Sequence, residues 1–309
     1  MSAGGLGGDG ATRQGGAMKL RSMLFVPADS ERKLAKAVDS PADVLILDLE
    51  DSVAEARKIG ARSTAAAFIS AQSATLKAKL FVRINPLDTL LAMGDLACVV
   101  VPGLAGIMLP KTHSAADIVR LGHCLDALEA RAGLLPGSVK IVPVATETAA
   151  AMLNMQSFAA PMDKLARLAG VTWGAEDLSA AIGAMSNRDE DGNWSPLYIW
   201  ANSLCLCAAA AAGVPAIDTL HADFKDSAGL AAACRASRRR GFRGRIAIHP
   251  DQVAIINEAY SPSAAELAHA QRVVDAFAAQ PEAGTLSLDG VMLDRPHLTQ
   301  ALGTLASAG

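Results

Sequence analysis

Eight short apolar runs recur between Leu20 and Pro250, each separated from the next by an Ala-rich or helix-patterned stretch, and this alternation limits the fold more than any other feature of the chain. The runs are LRSMLFVP (20–27), DVLILDLE (43–50), KLFVRIN (79–85), AGIMLPK (105–111), KIVPVATE (140–147), LAGVTWGAED (168–177), VPAIDTL (214–220) and GRIAIHP (244–250). They are nearly continuous rather than alternating in polarity, as expected of parallel strands buried on both faces. Between them, Ser30 is placed to cap SERKLAKAV, and the helices before Gly133 and Gly241 each stop at a glycine. Eight strand–helix units predict the α/β class and a (β/α)8 TIM barrel rather than an open sheet.

The 309 residues, 51% hydrophobic and 19% charged, are enough for one large domain. We divide them into a Gly-rich disordered tail (1–17), the barrel (18–279) and a C-terminal extension (280–309). Gly5 to Gly10 match GxGxxG by letter, but no strand precedes them and no helix follows, so no phosphate-binding turn is expected. A net charge of −3 supplies no positive field for nucleic acid or anionic lipid. No run reaches the roughly 18 apolar residues of a membrane span, and the N-terminus has no apolar signal core. Cys98, Cys124, Cys205, Cys207 and Cys234 form no CxxC pair and read as free structural thiols, which places the protein in a reducing cytoplasm.

In a barrel of this kind chemistry belongs at the C-terminal ends of the strands. The polar residues there are Asp48, Glu50, Asp51, Arg83, Asn85, Lys111, Glu147, Glu176, Asp177, Asp218, His221 and His249. So many carboxylates around one mouth call for a compensating cation. Oxygen donors without cysteine fit a hard divalent ion such as Mg²⁺, with Glu147 and Asp177 the best-placed pair and Mn²⁺ the alternative ion. The bland reading is that these acids cap the helices that follow them. Arg83, among apolar neighbours, needs an anion: Glu50 or Asp51 next door, or a substrate carboxylate.

RASRRRGFRGR (235–245) carries six arginines. It closes the seventh helix and leads into the eighth strand, so it falls on the opposite, stability face, where we expect a solvated helix end. His113, His123, His269 and His297 have no second His or Cys one turn away and read as ordinary residues.

These motifs in this order, from LRSMLFVPADSERKLAKA and LILDLEDSV through VRIN, LPK, VATET and WGAEDL to IDTLHADFKD and IHPDQV, resemble the citrate lyase β-subunit-like (CitE-like) branch of the HpcH/HpaI aldolase superfamily. The resemblance runs from about Leu20 to Pro296. It implies a Mg²⁺-dependent lyase that splits a 3-hydroxyacyl-CoA thioester such as malyl-CoA or citramalyl-CoA into acetyl-CoA and a 2-oxo acid. By the same resemblance Glu147 and Asp177 match the metal ligands and Arg83 the substrate-binding arginine. Phe25, Arg32, Lys36, Ile248 and His249 match positions that hold the CoA thioester. Arg32 stands where some relatives have lysine.

The resemblance also gives the C-terminal extension a role. Gly290, Met292, Leu293, Asp294 and Pro296 match a G-x-M-[IL]-D-x-P segment that, in free-standing lyases of the family, supplies a catalytic Asp and covers the mouth of a neighbouring subunit in a homotrimer. Asp294 would then donate the proton that the acetyl-CoA enolate requires. The plainer expectation is that Asp294 caps the helix RPHLTQALGTLA, with Pro296 in its first turn.

Three other readings compete. One is a citrate lyase β subunit acting on a citryl thioester, whose relatives are expected to stop before such a lid. The second is a metal-dependent pyruvate aldolase without CoA. The third is a non-enzymatic RNA- or partner-binding barrel that uses the arginine cluster. The pocket that separates one 2-oxo acid from another, and hydrolysis of the thioester after condensation, lie beyond these motifs.

Overall fold

All eight apolar runs form strands: β1 (Ser22–Pro27), β2 (Val44–Asp48), β3 (Lys79–Arg83), β4 (Leu104–Leu109), β5 (Lys140–Pro143), β6 (Val171–Thr172), β7 (Ala216–Asp218) and β8 (Gly244–Ala247). The computed structural model describes residues 18–72, 76–160 and 163–308, so the stretch read as a disordered tail lies outside the described residues. The strands pair in parallel in the order β5-β4-β3-β2-β1-β8-β7-β6. Parallel bridges from Ile141 to Leu168 and from Val144 to Thr172 bring β5 against β6 and close the ring.

Helices occupy the crossovers: α1 (Glu31–Ala37), α2 (Lys58–Gln72), α3 (Ala92–Val99), α4 (Ala115–Ala132), α5 (Ala149–Leu153), α6 (Glu176–Ile182), α7 (Pro196–Ala211) and α8 (Ser227–Arg240), with α9 (Asp251–Tyr260) and α10 (Ala264–Ala279) after β8. The end signals act as their chemistry dictates. The Ser30 hydroxyl accepts from the Lys33 amide, and Gly133 and Gly241 adopt left-handed backbone at the ends of α4 and α8.

Strand parity divides the core in two. Met23, Val44, Ile46, Phe81, Met108, Val142, Ile217 and Ile246 fill the lumen, while their neighbours Leu45, Leu47, Leu80 and Val82 pack outward on the helices. Gly106 is part of this filling: a Cβ there would lie 2.2 Å from the Phe81 ring. A side chain at that position would displace the largest lumen residue.

The C-terminal extension builds a satellite core on α10. Strands β9 (Thr285–Leu288) and β10 (Val291–Asp294) form an antiparallel hairpin that precedes α11 (Arg295–Ala306). Its two-residue turn, Asp289-Gly290, has positive φ at both positions, the geometry that an Asp-Gly hairpin turn favours. Leu286, Leu293 and Ala301 then pack on Ala270, Val273 and Phe277 of α10, apart from the barrel core.

Candidate active site

A cavity of about 710 Å³ opens at the C-terminal ends of the strands. Of the residues singled out in the sequence, Phe25, Arg32, Lys36 and Arg83 border it, as do Glu147, Asp177, Ile248 and His249. Asp294 does not, nor does any other residue of 280–309.

Arg83 reaches the lumen because β3 alternates, with Phe81 and Arg83 inward and Leu80 and Val82 outward. Its required anion is Asp48, the residue opposite it in the β2–β3 register. Arg83 Nε and Nη2 donate to the two Asp48 carboxylate oxygens at 2.7 Å each. Nη1 lies 3.0 Å from Glu50 and 3.6 Å from Asp51, and the guanidinium stacks 4.5 Å above the Phe25 ring. The bidentate edge expected for a substrate carboxylate is therefore closed on Asp48, with Asp51, whose side chain is 56% exposed, the most replaceable partner. Burial pushes the Asp48 carboxyl up, but the Arg83 hydrogen bonds outweigh it and the net shift is downward.

Glu147 is buried, 4% exposed, at the end of β5. Burial and the nearby Asp177 charge push its carboxyl well above the usual range. Gly174 makes room for it: a Cβ there would lie 2.9 Å from Glu147 Cγ. Asp177 stands in the first turn of α6, where the helix N-terminus also favours an acid. Among the described residues no group of three or more His, Cys, Asp or Glu is gathered to hold a metal. Two carboxylates are nonetheless the set a Mg²⁺ ion takes when water and substrate complete its octahedron. A buried acid whose proton affinity is raised by a second acid fits that ion.

Lys111 ties the mouth together. Its backbone amide donates to Glu147 Oε2 at 2.5 Å, and its ammonium donates to Glu50 Oε1 at 2.5 Å and stands 3.2 Å from Asp177 Oδ1. Burial pushes the Glu50 carboxyl up, and Arg83 and Lys111 only partly offset this, leaving it at about 7. Sequence reasoning placed Lys111 at the strand end but gave it no task.

Arg32 and Lys36 stand one turn apart on the exposed face of α1, with Lys33 beside them at the cavity rim. Lys33 was legible in the same motif and was not singled out. On the other rim the Ile248 amide donates to Gln252 at 2.8 Å, and the His249 ring stacks 4.9 Å from Phe224.

Three assignments to the mouth need correction. Asp218 and Asn85 do not face it. The Asp218 carboxylate accepts from Trp173 Nε1 at 2.8 Å and pairs with Arg245 in the layer between strands and helices. Asn85 turns into the same layer, where it meets Lys58 and Asp95. His221 lies behind the rim, 3.6 Å from Asp226. The arginine run is not a uniform solvated helix end either. Arg238, on α8, pairs with Glu266, whereas Arg245 is buried against Asp218 because Ile246 beside it takes the lumen side of β8. All five cysteines are free; burial pushes the Cys234 thiol up to about 11.

Asp294 is the N-cap of α11, as the plainer expectation held, with Pro296 in the first turn. Its partner is His297, whose Nδ1 lies 2.5 Å from Asp294 Oδ1 and accepts from the Asp294 amide at 3.2 Å. His297 was among the histidines read as ordinary.

Comparison with known proteins agrees with this architecture. The model of the HpcH/HpaI aldolase/citrate lyase family matches residues 21–250. The (3S)-malyl-CoA thioesterase of Cereibacter sphaeroides is 35% identical over 292 residues, 93% of this chain and 94% of that protein. The citrate lyase subunit beta of Escherichia coli is 32% identical over 291 residues, 93% of each. That match leaves out 7% of this chain, less than the length of 280–309, so it enters the C-terminal extension. Among solved structures, the CitE protein of Mycobacterium tuberculosis in complex with magnesium, acetoacetate and coenzyme A is 35% identical, with a TM-score of 0.72 over 94% of this chain and 98% of that one. No helix among the described residues is long and apolar enough to cross a membrane. By the match of its barrel and its identity to these relatives, the chain belongs to the HpcH/HpaI aldolase/citrate lyase family.

Proposed function

We propose that the protein is a metal-assisted carbon–carbon lyase that cleaves, or forms, a 3-hydroxyacyl-CoA thioester such as malyl-CoA or citramalyl-CoA, giving acetyl-CoA and a 2-oxo acid. The observation that carries this reading is the single cavity bordered at once by the Glu147–Asp177 pair, by Arg83 and by the basic rim of Arg32 and Lys36. Mg²⁺, or Mn²⁺ in its place, held by Glu147 and Asp177 would supply Lewis-acid charge at the substrate hydroxyl and carboxylate.

The chain's own groups do the rest. Arg83 adds positive charge where the oxyanion develops, with its orientation fixed by Asp48. Phe25, Ile248 and His249 flank the thioester, and Arg32 and Lys36 face the phosphates of CoA. In cleavage the hydroxyl loses its proton as its carbon becomes the carbonyl of the 2-oxo acid. The electron pair of the broken C–C bond moves to the carbon beside the thioester, and that carbon takes a proton. Asp294 is the proposed donor, delivered by the 280–309 segment of a second copy in a homotrimer, since that segment does not reach the cavity of its own barrel.

The similarity to a malyl-CoA thioesterase supports a second reading, in which the thioester formed by condensation is then hydrolysed. Purified protein assayed with Mg²⁺ against malyl-CoA, citramalyl-CoA and hydroxymethylglutaryl-CoA decides between them. Release of acetyl-CoA with a 2-oxo acid, or with acetoacetate in the case of hydroxymethylglutaryl-CoA, supports the lyase; free CoA with an intact hydroxy diacid supports the hydrolase. If all three thioesters survive while a carrier-bound citryl thioester is cleaved, the citrate lyase β reading replaces both.

A further inference from the structure

Charges alternate without a break across the mouth, from Asp48 through Arg83, Glu50 and Lys111 to Asp177, with Nη1 of Arg83 3.0 Å from Glu50 and the ammonium of Lys111 3.2 Å from Asp177. One end of this ladder is the anion anchor and the other is a proposed metal ligand. Lys111 is the hinge between them, and its backbone is unusual. It has φ +48, and among the described residues only Asp289 is another non-glycine with positive φ. A lysine rarely adopts that conformation, and it persists only where the surroundings fix it. Here it aims the Lys111 amide at Glu147 and the ammonium at Asp177, so one residue holds both proposed ligands, one by its main chain and one by its side chain.

We infer that Lys111 is a tethered counter-cation of the metal site: its ammonium keeps Asp177 and Glu50 in place while no metal is bound, and yields Asp177 when the divalent ion arrives, retaining Glu50 at 2.5 Å. It is a positioning residue rather than a catalytic one. Two cations do not share one carboxylate at close range without cost, so the ammonium competes with the ion and weakens its binding to the empty mouth. A substrate that adds its own carboxylate and hydroxyl to the ion offsets that competition, so Lys111 favours loading of metal together with substrate.

This inference rests on the reading of Glu147 and Asp177 as the metal pair. The test is Mn²⁺ binding to the full-length protein without thioester, by calorimetry or by the loss of free Mn²⁺ signal in spin resonance. Lys111→Met leaves the backbone requirement unchanged and removes the ammonium, with its charge and its hydrogen bond to Glu50. It is expected to bind Mn²⁺ about tenfold tighter than wild type, with a lower melting temperature in chelator and a larger rise on adding metal. Lys111→Arg, which keeps the charge, is expected to bind no tighter than wild type. A folded Lys111→Met with equal or weaker affinity would overturn the inference.

Should that variant fail to fold, the wild type alone decides, by acetylation of Lys111 with the exposed Lys36 as internal reference. Metal should raise the relative rate at Lys111 severalfold by freeing its ammonium from Asp177, and an unchanged rate would refute the displacement. The two readings fail separately. Mn²⁺ binding that survives Glu147→Ala and Asp177→Ala sinks the metal pair, whereas binding lost in those variants but not tightened in Lys111→Met sinks only the role of Lys111.

Discussion

Asp48 and Arg83 face each other across the β2–β3 register and share two parallel hydrogen bonds of 2.7 Å, so the arginine that borders the cavity is held by the barrel before any ligand reaches it. Asp48 is in turn fixed by the amides of Glu50 at 3.0 Å and Ser52 at 3.0 Å, so the loop after β2 and the guanidinium are locked as one unit. Such a site presents charge without having to reorganise for it.

Arg83→Lys keeps the charge but cannot make both bonds to Asp48. It is expected to lower kcat/KM by about 100-fold, since a misplacement of an ångström at an oriented group costs on that order. Its melting temperature should fall only modestly. Asp48→Ala strands a buried guanidinium and is expected to cost about 3–5 kcal/mol in urea unfolding. Equal stability of Asp48→Ala and wild type would show that Glu50 and Asp51 suffice as partners.

Gly174→Ala tests the seat of Glu147. The added Cβ would come 2.9 Å from Glu147 Cγ and 3.1 Å from its Oε1, so the carboxylate must move while the loop stays on the surface of the core. The expected outcome is a folded protein within about 1–3 kcal/mol of wild type, the range of overpacking, with Mg²⁺ activation shifted to at least tenfold higher concentration. An unchanged Mg²⁺ dependence would remove Glu147 from the metal site.

The opposite face of the barrel carries its own acid dependence. Glu129 is fully buried; burial alone would raise its carboxyl, but the Arg167 hydrogen bond and the Val139 and Gly137 amides outweigh it and hold it at about 2 instead of 4.5. The unfolded chain therefore binds this proton first as pH falls. Its stabilisation is fully present above about pH 4.5 and is lost on the way down to about pH 2, on the order of 3 kcal/mol by linkage. Glu129→Gln should be less stable than wild type at pH 7, with the gap narrowing steadily in urea melts from pH 5 to pH 2.5. A gap independent of pH would mean that the loss is one of packing.

The strands and the mouth were legible because both-face burial writes itself as apolar runs, and polar residues that end such runs mark one rim. What stayed hidden depends on parity and on the third dimension. Asp218 and Arg245 are opposite each other in the β7–β8 register, but Ile217 and Ile246 take the lumen, so the pair belongs to the outer layer. A one-residue error of phase exchanges the two faces of a strand. Asp48 escaped notice as the partner of Arg83 because strand register is not written in either run alone. The task of Lys111 depends on a positive φ that no lysine signals, and the pairing of His297 with Asp294 needed the capped helix that brings them together.

That last pair gives the sharpest test of the proposed mechanism. Asp294 lies on a satellite core with α10, bordering no part of its own cavity, while Val291 and Met292 just before it expose 59% and 62% of their surface. Exposed apolar residues on a short edge strand invite a partner surface. If a second copy receives this segment, Asp294→Ala should lose nearly all turnover yet keep Mn²⁺ and CoA binding, because the group enters only at proton transfer. The lost cap should cost about 1 kcal/mol, read mainly as fraying of α11 in hydrogen exchange. Unfolding and mixing Asp294→Ala with Glu147→Ala subunits should then restore activity, since a mixed trimer contains mouths with an intact metal pair beside an intact Asp294. Activity retained in Asp294→Ala at wild-type level would reduce the residue to its capping role. Failure of mixed trimers to regain any turnover would place the two groups in the same subunit, and would require the hairpin to leave α10 to reach its own barrel.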